Sequence, residues 1–359
     1  MHSNKAFLIK INVLLIVIIS TPLLLNCQSK KIIKLEPVAF SDEQWTGLAV
    51  SNEERLFVNY PRWSENITTS VAEIIDGKPI PYPDTSMNNW VPGRNPATHF
   101  ICVQALFIDD KNRLWILDPA NPWFRGLIPG GPKLLQMDLA TNSVVQTFQF
   151  EPEIALPTSY LNDVRIDTQR NYAYITDSGD GALVVLNLNT GEARRILENH
   201  PSTTSEDIVL TVGGNPWVFG DVKPRVHSDG IAYDSNGDHV YYQVLTGRTM
   251  YRIPGSFLRQ FDLPENEIEA QVEKVGETGA SDGLIFGADG KIYISAIEHD
   301  AIFRATPDGN LETVIQDTLI SWPDSFSFGP DGKLYFTTSR IHEGPTPKGK
   351  YGIYRISFP

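Results

Sequence analysis

Cysteine is nearly absent from this sequence, which contains only Cys27 and Cys102 among 359 residues. At most one disulfide could form, so the stability must come from strand packing and closure of the fold. Basic residues are also scarce, with 30 Lys and Arg against 43 Asp and Glu and a formal net charge of −13. This balance argues against a nucleic-acid partner, because phosphate binding needs a concentrated Lys and Arg surface.

Several catalytic and cofactor-binding motifs are missing. The chain has no phosphate-binding Gly-rich loop and no Cys and His spacing that suits zinc, so we expect no nucleotide cofactor. It has no Gly-x-Ser-x-Gly elbow, and Cys102 has no evident His partner, which argues against a nucleophilic triad. Apolar patterns of helical period and useful length are missing as well. Frequent Gly (27) and Pro (25) suit many short strands joined by turns.

The N-terminal segment is predicted to be an export signal. Lys5 and Lys10 precede an apolar run at residues 13–25, which is too short to span a bilayer and suits a signal-peptide core. We assign residues 1–26 to a signal peptide and residues 27–33 to a tether. The run ends in Leu-Leu-Asn-Cys, which resembles a bacterial lipobox, although Asn26 replaces the usual small residue.

Lipidation of Cys27 would make the protein an exported lipoprotein in the periplasm or at the cell surface, held at a membrane only through its N-terminal lipid. The alternative is a plain secretory signal that is cut nearby and leaves a secreted protein.

Six copies of one unit account for residues 34–359. Each unit has a polar pair, an apolar strand, a tight turn and a second strand rich in Tyr and β-branched residues, followed by two more strand segments. The units begin near residues 45, 103, 161, 228, 281 and 323. Four antiparallel strands repeated in this way are typical of propeller blades, so the sequence predicts an all-β fold, a six-bladed β-propeller.

The two ends of the repeat region are predicted to complete each other. The sixth copy stops after a third strand, Gly352 to Ile356, and so lacks a fourth. The segment Lys34 to Phe40 precedes the first copy and can supply the missing strand, which removes an exposed sheet edge. We therefore expect a ring closed by an N-terminal strand, and a monomer.

Long insertions fall in two kinds of connection only, from a second to a third strand or from a fourth strand to the next first strand. They are residues 59–70, 81–101, 118–132, 200–227 and 339–351. In a propeller both kinds emerge on the face where the innermost strands begin. Because elaborate loops on one face of a rigid scaffold usually carry the function, we expect the working site at this mouth of the tunnel.

One polar position recurs just ahead of the innermost strand of each unit. The six residues at this position, called the ring residues below, are Thr46, Gln104, Asn162, Asp229, Asp282 and Asp324. They should converge at the mouth, and oxygen atoms of this kind suit Ca²⁺ or another divalent cation. We expect the last four to be the metal ligands. The alternative is that each is an ordinary strand-start residue that bonds its own turn.

Aromatic residues are mapped to the same mouth. They are Trp45, Trp90, Trp123, Trp217, Trp322 and Tyr160. Loop tryptophans commonly cap blade interfaces, but beside carboxylates they can also form a cage for an aromatic or cationic ligand. We expect ligand contacts from Trp45 and Trp322, together with Gln104 and Asn162.

Acid and base candidates are fewer. His227 is the strongest histidine candidate because it lies two residues before Asp229. Catalysis would therefore involve His227, Asp229 and Asp282.

Several linked strings resemble the major royal jelly protein and yellow family, in the same order. They are RLFVNYPRW at residues 55–63, NRLWILD at 112–118, PKLLQMDL at 132–139, LNDV at 161–164 and AYITDS at 173–178. The resemblance runs from about Trp45 to the C-terminus and implies an exported six-bladed propeller with a central cavity. Some relatives bind biogenic amines, and some insect members are linked to dopachrome conversion. The paired cysteines of the insect members are absent here, so their disulfides do not carry over.

A looser similarity connects the Ser-Asp-Gly repeats to gluconolactonase-like propellers, in which an Asn, an Asp and a Glu at strand starts hold a divalent cation. Asn162 and Asp229 match this pattern, but Thr46 takes the place of the Glu. If Asp282 or Asp324 replaces that Glu, the coordination must be rearranged.

We expect the mouth to bind a small aromatic, amine or sugar-like ligand, with or without a divalent cation. One alternative is metal-assisted lactone hydrolysis, in which Asp229 or Asp282 accepts a proton. A second is tautomerisation of a dopachrome-like compound, and a third is a cell-surface platform for protein interactions.

Overall fold

The computed structural model describes residues 33–344 and 346–358. The predicted signal peptide, Cys27 and all but the last residue of the predicted tether lie outside the described residues. In the described part of the chain, no helix is both long and apolar enough to cross a membrane.

Six four-stranded antiparallel sheets form the blades, numbered by the chain order of their innermost strands. Blades 1 to 3 contain β2 (Leu48–Val50), β3 (Leu56–Asn59), β4 (Val71–Ile75), β5 (Lys78–Pro81); β6 (Ala105–Ile108), β7 (Leu114–Asp118), β8 (Lys133–Asp138), β9 (Ser143–Gln149); and β10 (Leu161–Asp167), β11 (Tyr172–Asp177), β12 (Ala182–Asn187), β13 (Ala193–Ile196). Blades 4 to 6 contain β16 (Ser228–Asp234), β17 (His239–Val244), β18 (Thr249–Pro254), β19 (Glu273–Glu277); β20 (Ser281–Phe286), β21 (Ile292–Ala296), β22 (Ala301–Ala305), β23 (Leu311–Gln316); and β24 (Pro323–Phe328), β25 (Leu334–Thr338), β26 (Tyr351–Ile356), β1 (Leu35–Ser41). The predicted all-β, six-bladed propeller is confirmed.

Blade 6 joins the two ends of the repeat region. Strand β1 pairs antiparallel with β26, from Leu35 opposite Ile356 to Ser41 opposite Tyr351. The predicted closure by an N-terminal strand is therefore confirmed, with the strand displaced by one residue from the predicted range. Because β26 starts at the mouth face, Leu35 lies at the opposite face, which we call the narrow face, and the tunnel ends there in its narrow end.

The hydrophobic core is divided among the interfaces between neighbouring blades. One buried cluster joins Trp115 of blade 2 to Ile175 of blade 3, and another joins Tyr174 of blade 3 to Tyr242 of blade 4. A second strand therefore packs on both of its faces, which explains why these strands appear in the sequence as short continuous apolar runs. This packing holds the innermost strands in fixed positions around the tunnel.

Within residues 33–344 and 346–358, helices occur only as short pieces in the connections. They are α1 (Thr85–Asn88), α2 (Gly255–Leu258), α3 (Glu265–Glu269) and the 3₁₀ turns Pro96–Thr98, Pro122–Phe124 and Ile341–Glu343; the connection before blade 4 also holds a hairpin of β14 (Thr211–Val212) and β15 (Asn215–Pro216). The segment with α2 and α3 connects β18 to β19 on the narrow face. The sequence pattern missed it because helices of four or five residues are too short to show a period.

Candidate functional site

A cavity of about 550 Å³ opens at the mouth of the tunnel. Its floor includes the ring residues Gln104, Asn162, Asp229 and Asp282. Aromatic side chains from the long loops form much of its wall, namely Trp63, Phe124, Tyr160, Trp217, Phe219 and Trp322. The structure thus places a cavity at the end of the tunnel where the loops are longest. We call it the mouth cavity.

β-Bulges at the starts of the innermost strands hold the ring residues. The pairing register shifts between Ser228 and Ile231 in β16 and between Ser281 and Leu284 in β20, so each ring Asp lies in the extra segment. In blade 5 the Ser295 Oγ accepts hydrogen bonds from the backbone N–H groups of Asp282 and Gly283, at 2.9 and 2.8 Å. A hydroxyl on the second strand therefore replaces the ladder bonds that the bulge removes.

The glycine after a ring Asp is required by the neighbouring blade. A Cβ atom on Gly283 would lie 1.9 Å from the carbonyl oxygen of Asp324, and one on Gly230 would lie 2.5 Å from the carbonyl oxygen of Asp282. No side chain fits at these distances, so the Ser-Asp-Gly repeats mark close backbone approach between blades.

A chain of hydrogen bonds crosses the floor, and we call it the floor chain. Trp63 Nε1 donates to Tyr160 Oη at 2.7 Å, and the Tyr160 hydroxyl donates to Gln104 Oε1 at 2.9 Å. Gln104 Nε2 donates to Asn162 Oδ1 at 3.2 Å, and Asn162 Nδ2 donates to Asp229 Oδ2 at 2.8 Å. The amide of Asn162 is thereby oriented with its donor, rather than its oxygen, toward the carboxylate.

The acidic side of the floor is held differently. Trp322 Nε1 donates to Asp282 Oδ2 at 2.6 Å. Asp324 Oδ1 accepts from Ser325 Oγ at 3.3 Å, whereas Asp324 Oδ2 has no hydrogen-bond partner within the described residues. Asp324 does not line the mouth cavity. Asp229 and Asp282 accept bonds from other blades rather than from their own turns, contrary to the strand-start alternative.

Burial raises the pKa values of the three ring carboxyl groups. It raises the pKa of Asp229 far above its usual range, and the negative charge of Asp282 raises it further. Asp324 has a raised pKa for the same two reasons in the same order. Burial raises the pKa of Asp282 to about 7, although the hydrogen bond from Trp322 opposes the rise. The cluster therefore retains protons near neutral pH, because close buried carboxylates cannot all ionise.

Five of the predicted mouth residues do not line the cavity, namely Thr46, Asp324, Trp45, Trp90 and Trp123. Thr46 Oγ1 donates to the Gln104 carbonyl oxygen at 3.2 Å and accepts from Asn59 Nδ2 at 2.8 Å, so its hydroxyl is used in the blade 1 framework. Trp45 is buried in the core between blades 6 and 1, where its ring packs against Tyr60 at 6.2 Å. Of the four predicted ligand contacts, Gln104, Asn162 and Trp322 line the cavity and Trp45 does not.

His227 also lies away from the cavity lining. Its Nδ1 atom accepts the backbone N–H of Ser205 at 2.9 Å, and the half-buried ring has its pKa lowered by burial and by Arg225. The structure thus brings Asp229 and Asp282 together but leaves His227 with a loop-bracing contact. His342 lies flat against Trp322, with ring centroids 5.6 Å apart, and so supports the indole that binds Asp282.

Sequence reasoning missed Trp63 and Phe124. Phe124 is 62% exposed and stacks on Tyr160 at 5.3 Å, while the neighbouring Trp123 packs against Trp90 behind the wall. Both Trp123 and Phe124 have left-handed backbones, with φ of 58° and 53°, a conformation that bulky residues rarely adopt. Trp63 could have been found, because it lies in an insertion of the same kind as the one that contains Trp123.

Polar atoms of the predicted metal ligands are engaged in hydrogen bonds on the floor. Among residues 33–344 and 346–358, no group of three or more His, Cys, Asp or Glu side chains is arranged to hold a metal ion. The Asn162 oxygen faces Gln104, and Asp229 and Asp282 each accept from an N–H donor. This hydrogen-bonded arrangement suits protons better than a cation, and the predicted divalent cation stays a prediction.

Comparison with known proteins gives one family. The family model described as Major royal jelly protein matches residues 101–331, which is more than half of the 359-residue chain. Among curated proteins, none matches the sequence significantly.

Solved structures show the same fold at low sequence identity. A gluconolactonase from Xanthomonas campestris aligns with a TM-score of 0.57 and 12% identity, covering 91% of this chain and 90% of that one. Regucalcin, a calcium-binding protein from Agrobacterium tumefaciens, aligns with a TM-score of 0.54 and 14% identity, covering 90% of this chain and 96% of that one. Virginiamycin B lyase from Staphylococcus aureus aligns with a TM-score of 0.52 and 14% identity, covering 91% of this chain and 100% of that one. These likenesses concern the propeller fold alone.

Proposed function

Because the chain belongs to the major royal jelly protein family, we propose that its mouth cavity binds a small organic ligand that carries an aromatic ring and an amine. The observation that carries the proposal is a cavity with aromatic walls over a floor of buried carboxyl groups. Its volume of about 550 Å³ falls in the range of small-molecule sites.

The aromatic wall would hold the ring of the ligand. Phe124 lies between Trp63, at 5.5 Å, and Tyr160, at 5.3 Å, and both contacts have interplanar angles of 30°. Trp217 meets Trp322 edge-on at 4.9 Å elsewhere in the wall. Such surfaces favour flat or cationic groups, because the aromatic faces carry partial negative charge.

The floor would hold the amine. Asp229 and Asp282 have raised pKa values, which means that protons neutralise part of their charge in the free protein. An ammonium group that enters the cavity can replace such a proton as the counter-charge. We therefore expect amine binding near neutral pH to release protons, and to weaken as the pH falls.

Calorimetry with tyramine as the probe tests this proposal. Titration in two buffers that differ in ionisation enthalpy measures the number of protons released. We expect Asp282→Asn to weaken tyramine binding by about tenfold or more, since a buried charge-assisted contact is lost. Asp76→Asn is the matched control, because Asp76 is exposed in the blade 1 turn.

The neutral analogue tyrosol replaces the amine with a hydroxyl and should bind more weakly than tyramine. Equal affinity for both compounds, or unchanged affinity in Asp282→Asn, would refute the amine site. Glucono-δ-lactone in the same titration tests a sugar-like ligand instead.

Metal-dependent lactone hydrolysis is the second proposal. Asn162 and Asp229 lie at the starts of neighbouring innermost strands, where Asn162 Nδ2 donates to Asp229 Oδ2 at 2.8 Å. The Asn162 amide would have to turn its oxygen toward a cation for both residues to act as ligands. Thr46 has no acidic side chain to complete the set. Calorimetry with Ca²⁺, Mg²⁺ and Zn²⁺ tests whether the mouth binds a divalent cation. The cation site would be refuted if none of these ions binds, or if Asp229→Ala leaves their binding unchanged. Lactone turnover that chelation abolishes would favour hydrolysis.

Tautomerisation of a dopachrome-like compound would need a base but no metal. With its pKa raised to about 7, Asp282 could exchange a proton with a bound ring near neutral pH. Conversion of dopachrome that is lost in Asp282→Asn would support this reaction.

Export and lipidation rest on residues 1–27. Mass spectrometry of the mature N-terminus tests them, and a Cys27 without acyl groups would show that the lipoprotein prediction is wrong.

A further inference from the structure

A second cavity, of about 280 Å³, opens at the narrow end of the tunnel. Apolar side chains from the innermost strands surround it, among them Phe107, Ile166, Phe286, Phe326 and Phe328. Arg165 is the basic residue in its lining. We call this space the narrow-end cavity.

Arg165 reaches across the tunnel from blade 3. Its Nη1 atom donates to the carbonyl oxygen of Val164 at 2.6 Å, and its Nη2 atom donates to the carbonyl oxygen of Leu284 in blade 5. The guanidinium lies 5.2 Å from the centroid of the Phe107 ring. Arg165 is only 6% exposed, and its Nε atom has no hydrogen-bond partner in the part of the chain that the structure describes.

The charge of Arg165 is poorly compensated. The nearest carboxylate oxygen, Asp163 Oδ2, lies 3.6 Å from Nη2, which is too far for a normal hydrogen bond. A buried guanidinium with an unused N–H donor and an incomplete ion pair is costly, and an added anion would relieve that cost.

We propose that the narrow-end cavity is a second binding site, which takes a small organic carboxylate whose charged group pairs with Arg165. Guanidinium groups match carboxylates in shape as well as charge. The phenylalanine rings around the cavity would cover an apolar body, which favours a single-ring carboxylate over a polar anion.

The charged residues at the rim of the narrow-end cavity are compatible with the binding of a carboxylate. Asp109, on the rim, already accepts from Trp115 Nε1 at 2.8 Å and from Arg113 Nε at 2.7 Å. Lys111 Nζ donates to the Thr168 carbonyl oxygen at 3.0 Å and adds positive charge nearby. Asp110 remains as an exposed, hydrated carboxylate.

Calorimetric titration of the protein with benzoate tests the site, because benzoate has one ring and one carboxylate. We expect a single site whose affinity falls by about tenfold or more in Arg165→Met, which keeps the length of the side chain but removes the charge. Gln169→Trp fills the exposed rim without altering the core, and should also abolish binding. The matched control is Gln146→Trp on an exposed part of β9, which should leave the affinity unchanged.

Three further titrations decide the chemistry. Benzamide, which lacks the charge, should bind at least about tenfold more weakly than benzoate. Binding of chloride without binding of benzoate would overturn the assignment to a carboxylate, as would benzoate affinity unchanged in both Arg165→Met and Gln169→Trp. Benzoate should bind equally well to protein saturated with tyramine and to Asp282→Asn, so failure at one end of the tunnel is distinguishable from failure at the other.

Discussion

The two ends of the tunnel are built from the same six innermost strands, yet they differ in charge, shape and backbone. At the mouth, β-bulges interrupt the pairing and place Asp229 and Asp282 on a floor below long aromatic loops. At the narrow end the strands pair regularly, phenylalanine rings line part of the cavity, and Arg165 is its buried basic residue.

This difference shows how a repeated scaffold acquires a polar site at one end. A regular strand pairs its backbone groups with its neighbour and leaves little freedom for its side chains. A bulge frees two residues, and a hydroxyl such as that of Ser295 satisfies the exposed N–H groups. Polar residues can then converge at the mouth without weakening the rest of the blade.

The largest expected effect is a loss of stability when a side chain is added at a bulge glycine that packs against the neighbouring blade. Gly283→Ala would place Cβ against a backbone oxygen that has little freedom to move, and should lower the free energy of unfolding by about 3 kcal/mol. Gly276→Ala is the control, since the nearest atoms to its added Cβ lie at 3.8 Å. Urea unfolding measures both, and equal stabilities would show that the blades do not pack tightly at the mouth.

The acidic floor should make stability depend on pH. Because the pKa of Asp282 is raised to about 7, its protonated form stabilises the fold at low pH, and this contribution is lost as the pH rises from about 4 through 7. The Asn side chain of Asp282→Asn does not titrate. Between pH 5 and pH 8, the free energy of unfolding of this variant should therefore rise by on the order of 2 kcal/mol relative to that of the unmodified protein. Unfolding curves at both pH values measure the difference, and parallel pH profiles would contradict it.

The indole N–H of Trp322 should affect tyramine affinity through its hydrogen bond to Asp282 rather than through packing of the ring. Trp322→Phe keeps an aromatic ring but removes the N–H bond to Asp282, so the pKa of Asp282 should rise and tyramine should bind roughly 3- to 10-fold more weakly at pH 7. Trp217→Phe is the comparison, because Trp217 Nε1 has no hydrogen-bond partner among the described residues. Affinity measured against pH separates the two variants. The same loss in both would mean that ring packing, rather than the hydrogen bond, is responsible.

The smallest expected effect concerns the exposed wall. Phe124→Ala should weaken tyramine binding by only about 3- to 5-fold, through the loss of one stacking surface. Its stability should change by less than about 0.5 kcal/mol, because the ring is 62% exposed. Leu319→Ala, at an exposed residue that does not line the mouth cavity, should change neither quantity. A large loss of stability in Phe124→Ala would assign the side chain a structural role.

The fold could be predicted because its signals repeat. Six copies of a polar pair, an apolar run and a tight turn gave the number of blades, and the missing last strand gave the closure by β1. The placement of Gln104, Asn162 and Asp229 around one axis followed from the same alignment. Lone features, such as the short helices between Gly255 and Glu269, carried no repeat and were missed.

The details of the site were less predictable, because they depend on contacts between blades. Alignment placed Thr46 with the ring residues, but its hydroxyl is taken by Asn59 and by the backbone of Gln104. His227 was predicted as a base because it lies two residues before Asp229, whereas its Nδ1 atom accepts a hydrogen bond from a backbone amide. Nothing in the residue types shows that Asn162 turns its donor toward Asp229, because an amide can face either way until its neighbours are known.

The position of β1 decides how the molecule is presented. The chain reaches the propeller at the narrow face, since Leu35 pairs with Ile356 at the end of β26 that is farthest from the mouth. This polarity recommends the N-terminus for coupling to a biosensor surface, where the larger opening would stay accessible to solutes.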